Sequence, residues 1–194
     1  MKLIFLTAFS LLPLTLSAQT TDTLRGKIGL ILETETVTLP QIGVRYFLTN
    51  STRVVLRSEC TYEKNDYDNI SSSTNKQLSL GASATIEYQI ISIESAMLFG
   101  EMGIKLAHSS IQETIGPSQS GNEIIPSRTL TSHSDDLIGV IGVGAEYLFN
   151  IHLSLYCIQR LELTKTKGVD ENKQGYSQTS FDIATSKIGI AIYF

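Results

Sequence analysis

The sequence predicts an all-β protein, an eight-stranded antiparallel up-and-down transmembrane β-barrel preceded by a cleaved signal peptide. Three observations predict it. Segments of the chain alternate apolar with polar or small side chains, the connections between them alternate between short and long, and the segment 187–194 places Ile188, Ile190, Ile192 and Phe194 on one face of an extended strand. Because backbone polar groups in a bilayer must be satisfied internally, strands with a lipid-facing row cross it only in a closed barrel.

The N-terminus has the features of a secretory signal peptide. Lys2 precedes an apolar run that ends in small residues at Ala18. This pattern predicts a signal peptide over residues 1–18 and a single barrel domain over residues 19–194. The later apolar runs stop well short of the roughly 20 residues that a membrane helix requires.

The first four predicted strands cover about residues 25–35, 41–50, 53–63 and 76–90. In each of them one face is apolar and the other is largely polar, which is the period of a strand with one face in lipid. Their outward rows are Ile28, Leu30 and Leu32; Ile42, Val44, Tyr46 and Leu48; Val54, Leu56, Ser58, Cys60 and Tyr62; and Leu78, Leu80, Ala82, Ala84, Ile86 and Tyr88. The third strand has the clearest charged inner row.

The last four predicted strands cover about residues 96–108, 137–149, 152–163 and 179–194. The sixth strand is the least regular, because its inner row contains Gly142 and Gly144 beside Glu146. The outward rows of the first three of these strands are Leu98, Gly100, Met102, Ile104 and Leu106; Ile141, Val143, Ala145 and Tyr147; and Leu153, Leu155, Cys157, Gln159 and Leu161. An even number of strands lets both chain ends lie on the periplasmic side.

The connections between the predicted strands fall into two length classes. The short ones, at about residues 49–52, 91–95 and 150–151, are predicted to be periplasmic turns. The long ones, at about residues 34–40, 64–75, 109–136 and 164–178, are rich in polar residues and are predicted to be external loops. Pro40, Pro117 and Pro126 fall outside the strands, as the missing N–H demands.

Charged side chains occupy many of the inward positions. An eight-stranded barrel has an interior only just wide enough for its own side chains, so the inner charges are expected to pair with one another and fill it. The basic members of this predicted network are Arg45, Arg53, Arg57, Lys105, Arg160 and Lys187, and the acidic members are Glu59, Glu63, Glu87, Glu101, Glu146 and Glu162.

The signal peptide, the eight amphipathic strands and the terminal Phe194 resemble the small outer-membrane barrels of the OmpA-type and OmpX-type families. The resemblance implies an outer-membrane location in a Gram-negative bacterium and a role in envelope integrity, adhesion or surface interaction. It also implies that Ile188, Ile190, Ile192 and Phe194 are read by the barrel-assembly machinery. The expected partners are outer-membrane lipid, that machinery and a surface ligand of the external loops.

Two clusters raise the question of catalysis. His152-Leu153-Ser154 resembles the His-x-Ser of the lipid A deacylases, but it follows a predicted periplasmic turn, whereas lipid A occupies the outer leaflet. His133-Ser134-Asp135-Asp136 lies at the outer end of the sixth strand, where a lipid-modifying enzyme would need polar residues. Such residues are also usual in a solvated loop, so no catalytic residue is assigned.

No cofactor or metal site is predicted. His108 and His133 flank the longest loop, but two imidazoles without a third ligand are a weak metal signal. The glycine-rich run 139–144 is not followed by a helix, so it is interpreted as a relief of crowding inside the barrel. Cys60 and Cys157 fall on strands far apart in the barrel, which predicts two unpaired thiols.

The composition excludes one class of function. The chain is 42% hydrophobic and 18% charged with a net charge of −4, and its sequence pI is about 5.4. These values offer no basic surface for a nucleic acid. The leading hypothesis is a non-enzymatic outer-membrane barrel whose external loops, chiefly 109–136 and secondarily 64–75, contact surface partners or shield the membrane. The alternatives are a lipid A-modifying enzyme and a narrow channel.

Overall fold

The computed structural model describes residues 24–35, 41–67, 73–120, 123–170 and 174–194. Within these ranges the regular structure is entirely β. The strands are β1 Ile28–Glu35, β2 Gln41–Phe47, β3 Thr52–Tyr67, β4 Ser73–Ile93, β5 Ala96–Ile115, β6 Ser118–Ser120, β7 Glu123–Ile125, β8 Arg128–Asn150, β9 Leu153–Val169 and β10 Gly175–Tyr193. The predicted signal peptide at residues 1–18 lies outside the described residues.

Eight of these strands form a closed barrel in the order β1-β10-β9-β8-β5-β4-β3-β2. Each strand pairs antiparallel with its neighbours, and the barrel closes where β1 meets β10, from Gly29 opposite Tyr193 to Glu35 opposite Lys187. The two short strands β6 and β7 form a separate hairpin between β5 and β8. The eight-stranded up-and-down barrel predicted from the sequence is confirmed.

Side chains alternate between the two faces of the wall as the period-2 pattern predicts. On β2 the residues are buried and exposed in strict alternation from Gln41 to Phe47. The exposed rows are apolar and form the outer wall of the barrel, whereas the buried rows face the lumen. Ile188, Ile190 and Ile192 of β10, and Phe194 directly after it, lie on the outer face.

The outer wall carries a continuous apolar belt. Its limit on the side away from the short turns is formed by Tyr62, Leu78, Leu106, Leu137, Leu163 and Phe181, all exposed. On β9 the belt runs from Leu153 to Leu163. Ten residue steps of about 3.3 Å along a strand tilted by about 40° give roughly 25 Å, the height of a transmembrane apolar band.

Aromatic side chains mark the opposite limit of the belt. Tyr46, Tyr88 and Phe194 are exposed on the outer wall, and the rings of Tyr147 and Phe149 meet edge to face at 5.2 Å. They lie beside the short turns, where an interfacial aromatic belt would sit. Among the described residues, no helix is long and apolar enough to cross a membrane.

The short connections are confirmed, whereas three of the four long ones are much shorter than predicted. β4 and β5 are joined by Glu94 and Ser95, and β8 and β9 by Ile151 and His152. The predicted loop 109–136 is wrong for most of its length, because β5 continues to Ile115 and β8 already begins at Arg128. Their ladder is unbroken from Ala107 opposite Asp136 to Ile115 opposite Arg128.

The same correction applies to two further predicted loops. β3 and β4 pair as far as Tyr67 opposite Ser73, inside the predicted loop 64–75. β9 and β10 pair as far as Val169 opposite Gly175, inside the predicted loop 164–178. Beyond the belt the strands need no apolar row, so their polar sequence resembles that of a loop while the backbone ladder continues. Most of the predicted loop 34–40 lies outside the described residues.

Six strands extend past the belt, while the described parts of β1 and β2 end lower in the wall. β1 pairs with β10 only up to Glu35 opposite Lys187, and β2 pairs with β3 only up to Ile42 opposite Ser58. Above these pairs, β3, β4, β5, β8, β9 and β10 continue as a curved sheet, here named the protruding sheet. In the described residues, its two edges are the outer parts of β3 and β10.

Inward glycines make room for rings in the lumen. A side chain at Gly189 would meet the Tyr156 ring, and one at Gly144 would meet the Phe99 ring, in line with the structural interpretation of the glycine-rich run. Cys60 and Cys157 are free thiols, as predicted. Pro117 and Pro126 lie between strands, and Pro40 is outside the described residues.

A charge placed in the middle of the belt tests whether this wall faces lipid. Ile141 is exposed on β8 within the belt, and Thr131 lies on the same face of β8 beyond it. We expect Ile141→Arg to lower the unfolding free energy in lipid vesicles by about 2–4 kcal/mol, and Thr131→Arg by about 1 kcal/mol or less. The chain contains no Trp, so urea unfolding is followed by circular dichroism and gel mobility. Equal, small losses for both variants would contradict a lipid-facing belt.

Candidate functional site

The lumen is crossed by a network of buried charges. Three arginines come from adjacent strands, Arg45 on β2 and Arg53 and Arg57 on β3, and a fourth, Arg160, comes from β9. They face carboxylates from four other strands, namely Glu33 on β1, Glu87 on β4, Glu101 on β5 and Glu146 on β8. All eight side chains are buried. Because β-strands alternate, each of these residues reaches the lumen while its neighbours along the chain face lipid.

Glu87 and Glu146 bind the two arginines nearest the short turns. Arg45 contacts Glu87 at 3.2 Å and Glu146 at 2.9 Å. Arg53 contacts Glu87 through Nε at 2.9 Å and Glu146 through Nη1. Two guanidinium groups therefore share two carboxylates, which compensates charge on both sides of the lumen.

Glu33 and Glu101 bind the other two arginines. Arg57 contacts Glu33 at 2.8 Å, Glu101 at 2.8 Å and Glu87 at 3.1 Å, so it joins the two halves of the network. Arg160 contacts Glu101 at 2.6 Å and Glu33 at 3.6 Å. Every one of these charges has an opposite charge in reach, and such pairing is what offsets the cost of desolvation.

Aromatic rings and hydroxyl groups fill the space around these ions. Arg45 donates a hydrogen bond to the Tyr193 hydroxyl at 2.7 Å, and that hydroxyl donates to Glu146 at 2.6 Å. Tyr156 donates to Glu33 at 2.8 Å, and its ring lies 4.6 Å from the Arg45 guanidinium carbon. The Arg53 guanidinium carbon is likewise 4.7 Å from the Phe99 ring centre. This half of the lumen is packed, as an eight-stranded barrel allows.

A small polar recess of about 10 Å³ lies in the lumen on the outer side of the network. The charged residues of the predicted set that line it include Glu59, Lys105, Glu162 and Lys187. Lys105 contacts Glu59 at 2.5 Å, and both side chains are partly exposed. Lys187 donates to the Gln41 side chain at 2.9 Å. This half of the lumen therefore combines a partly solvated ion pair with a buried lysine.

The structure thus divides the predicted interior charges into two groups. Arg45, Arg53, Arg57, Arg160, Glu87, Glu101 and Glu146 meet in the packed network, whereas Glu59, Lys105, Glu162 and Lys187 lie around the recess. Glu63 is exposed further out on β3. Glu33 was missing from the predicted set, although its inward position on the first strand was readable from the alternation.

The last strand is fixed from both faces of the wall. Tyr193 is buried in the lumen, and its N–H donates to the His152 carbonyl at 2.8 Å. Phe194 is exposed on the outer wall, and its N–H donates to the Ile28 carbonyl at 2.9 Å. The apolar outer row that ends at Phe194 is therefore accessible, and recognition of it during assembly stays a prediction.

The first catalytic candidate does not assemble. His152 Nδ1 lies 2.9 Å from the Tyr193 carbonyl oxygen, whereas the buried Ser154 hydroxyl donates to Glu146 inside the lumen. His152 and Ser154 therefore make separate structural contacts, as expected for two polar residues next to a turn.

The second catalytic candidate is split between the two faces of β8. His133 and Asp135 are exposed on the outer face, while Ser134 and Asp136 alternate onto the inner one. His108 Nδ1 lies 2.7 Å from Asp135 Oδ1, and the rings of His108 and His133 stack at 6.0 Å. The two histidines that flank the predicted loop therefore lie close together. In the described part of the chain no three His, Cys, Asp or Glu side chains are grouped so that they could hold a metal ion.

One constellation was missed from the sequence. His108-Ser109-Ser110 repeats the His-x-Ser spacing, and Ser110 shares the outer face of β5 with His108. In the sheet Ser110 is directly opposite His133, and His108 is opposite Asp135. The spacing carries this signal, but the sequence predicts a loop over residues 109–136, and in a loop the spacing does not place side chains on a common face.

Comparison with known proteins identifies the fold without a family. No protein-family model matches the chain, and no curated protein matches it. The chain is similar to the crystal structure of a major outer membrane protein from Thermus thermophilus, with a TM-score of 0.51, 14% identity, and coverage of 87% of this chain and 98% of that one.

Two further solved structures are less similar. One is Acinetobacter baumannii CarO, with a TM-score of 0.46, 9% identity and coverage of 89% and 99% of the two chains. The other is the outer membrane protein OprG from Pseudomonas aeruginosa, with a TM-score of 0.44, 11% identity and coverage of 91% and 99%.

Removing one carboxylate tests the interdependence of the network. Glu146→Gln leaves Arg45 and Arg53 with Glu87 as their shared counter-ion in a desolvated space. We expect the unfolding free energy in lipid vesicles to fall by about 3 kcal/mol or more, because breaking a buried pair leaves uncompensated charge. Glu59→Gln, at the partly solvated pair, is the matched control and should cost at most about 1 kcal/mol. If the two variants lose the same amount, the packed half of the lumen is not held by its ion pairs.

Proposed function

We propose that the protein is an integral outer-membrane barrel with a non-enzymatic role in the envelope, and that its protruding sheet makes the surface contacts. The observation that carries this proposal is the combination of a packed, charge-paired lumen with strands that extend beyond the apolar belt. A lumen packed in this way favours a structural role over the passage of ions or solutes. The strands that extend beyond the belt are the part of the chain that a surface partner can reach.

The belt supports the outer-membrane location. Closed barrels with an apolar outer band and short turns at one end are the β-structures that span bacterial outer membranes. The exposed row that ends at Phe194 suits recognition by the barrel-assembly machinery, which we propose as a partner during biogenesis. The side with longer strands would then face the cell exterior.

The network argues against the alternative of a narrow channel. Arg45, Arg57 and Glu87 meet across the lumen together with the rings of Tyr156 and Tyr193. A hydrated ion would have to break several buried ion pairs at once, each of which costs several kcal/mol to open. Two arginines of the network, Arg57 and Arg160, also line the recess on its outer side.

The protruding sheet supports a role in surface interaction. Among the described residues, β3 beyond Ser58 and β10 before Lys187 pair on one side only, and such sheet edges can pair with another extended segment. Its longest part is the β5–β8 hairpin with the β6–β7 hairpin at its tip. This hairpin is the part of the chain that we expect to contact a surface ligand.

Trimming this hairpin separates the barrel from its surface role. Ile111 and Ser132 face each other in the ladder, so replacing residues 112–131 with Asn-Gly gives a two-residue turn that suits a hairpin. In cells lacking the protein, we expect the trimmed barrel to restore survival in detergent but not adherence to polystyrene. The wild type should restore both, because it keeps the hairpin.

A second trimmed barrel is the control. Lys167 and Ser177 also face each other, so residues 168–176 can be replaced with Asn-Gly in the same way. This variant should restore both properties. The proposal fails if the β5–β8 variant restores adherence, if loss of the protein changes neither property, or if the purified barrel gives steady unitary conductance in planar bilayers.

A lipid A-modifying enzyme is the second candidate, and one observation favours it. The Asp135 carboxylate holds His108 at 2.7 Å, and Ser110 lies on the same outer face just beyond the belt. A serine, a histidine and a carboxylate on one face could hydrolyse an ester at the membrane surface, with the histidine accepting the serine proton.

Mass analysis of lipid A decides between the candidates. Under the leading proposal, lipid A from cells that overproduce the wild type has the same acyl chains as lipid A from cells that lack the protein. Loss of an acyl chain in the overproducing cells, abolished by Ser110→Ala but not by Ser109→Ala, would establish the enzyme instead. Ser109 is the control because it alternates onto the inner face, where its hydroxyl lies 2.9 Å from that of Ser79.

A further inference from the structure

The lipid-facing wall carries an amide side chain at mid-height. On β9 the apolar belt runs from Leu153 to Leu163, and Gln159 lies between these limits with its side chain exposed on the outer face. Among the described residues, Gln159 is the only amide that faces outward within the belt, and no hydrogen bond between their side chains involves it. An amide in hydrocarbon is costly unless it is hydrogen-bonded. The position of Gln159 therefore indicates contact with a polar group outside this barrel.

The residues next to Gln159 are polar or small. Ser186 on β10 is directly opposite Gln159 and is also exposed on the outer face. One level nearer the short turns, Ala145 on β8 is opposite Cys157 on β9. Small side chains let neighbouring elements approach closely inside a membrane, as they do between membrane helices. These four residues, Gln159, Ser186, Ala145 and Cys157, are here named the polar patch.

We propose that two copies of the chain associate side by side in the membrane through the polar patch, with the Gln159 amides of the two copies hydrogen-bonded to each other. Both copies cross the membrane in the same direction, so a closed pair has a two-fold axis along the membrane normal. A residue on such an axis meets its own copy. The Gln side chain has an acceptor oxygen and a donor NH₂ group, so two Gln amides can form two reciprocal hydrogen bonds. A lipid acyl chain offers neither group.

The tilt of the strands centres this contact on one level of the wall. Strands of a membrane barrel are tilted by about 40°, so the β9 strands of two facing barrels cross instead of running side by side. With Gln159 at the crossing point, the Ser186 hydroxyl lies beside the amide pair in each copy. The sheet edges of β3 and β10 beyond the belt take no part in this contact. The inference therefore goes beyond the proposed surface role, and it rests on the outer-membrane location.

Sedimentation equilibrium of the full barrel in density-matched detergent micelles tests the association. The wild type should give a monomer–dimer equilibrium that shifts toward the monomer as detergent is added. Gln159→Leu should raise the dissociation constant of the dimer by about tenfold, because it removes two hydrogen bonds of the strength usual between membrane-embedded side chains. An apolar side chain suits the lipid-facing wall, so this variant should fold, and heat modifiability on a gel checks that it does.

Ser58→Leu is the matched control for loss of a polar group. Ser58 is exposed on the outer face of β3, across the barrel from β9, and its hydroxyl donates to the Ile42 carbonyl of its own wall at 3.4 Å. This substitution also replaces a polar residue of the belt with leucine, but it lies far from the polar patch. It should leave the dissociation constant unchanged.

A second pair of variants locates the contact by size. Ala145→Phe and Ala84→Phe each enlarge a small outward side chain of the belt, but only Ala145 belongs to the polar patch. Ala145→Phe should weaken the dimer, and Ala84→Phe, on β4, should not.

Two results would overturn the proposal. One is a wild type that stays monomeric at every detergent concentration, and the other is a Gln159→Leu variant that associates as tightly as the wild type. Neither result bears on the adherence and detergent-survival assays, which test the surface role separately.

Discussion

The carboxylate of Glu87 contacts three guanidinium groups, those of Arg45, Arg53 and Arg57, at 3.2, 2.9 and 3.1 Å. In this lumen Glu87 has the structural role that a large apolar residue has in the core of a soluble protein, because it fixes side chains from β2, β3 and its own strand β4 relative to one another. A charge so deeply desolvated is tolerated only where opposite charges surround it. The register of the barrel follows from this requirement, since a slip of one residue would turn the arginines toward lipid and the leucines toward the lumen.

The membrane half of this fold was readable from the sequence because the lipid imposes a strict alternation on it. Rows such as Ile42, Val44 and Tyr46 have one physical explanation, and the structure places them on the outer wall. The extent of β5 and β8 was not readable, because outside the membrane nothing requires every second residue to be apolar. The segment 109–136 therefore resembled a loop although its backbone is mostly a ladder.

The identity of the ion pairs was also beyond the sequence. Alternation places a charge in the lumen, but its partner depends on the stagger of the strands around the barrel and on the reach of each side chain. Arg57 could be assigned to the interior, yet its contacts with Glu33 and Glu101 join strands that are far apart in the chain. The pairing of His108 with Asp135 was hidden in the same way, since it needs the β5–β8 register.

Tyr193 gives the closure of the barrel an energetic consequence. Its hydroxyl accepts from Arg45 and donates to Glu146, and it is carried by the strand whose pairing with β1 completes the ring. A chain in which that seam is open also lacks one partner of a buried guanidinium and has an empty space in its lumen. The seam and the packed interior therefore form together. A barrel with an open seam lacks both the β1–β10 backbone pairing and the lumen contacts of Tyr193. Pairing of the final strand with β1 is therefore cooperative, and its free energy is not simply the sum of the backbone hydrogen bonds in the seam.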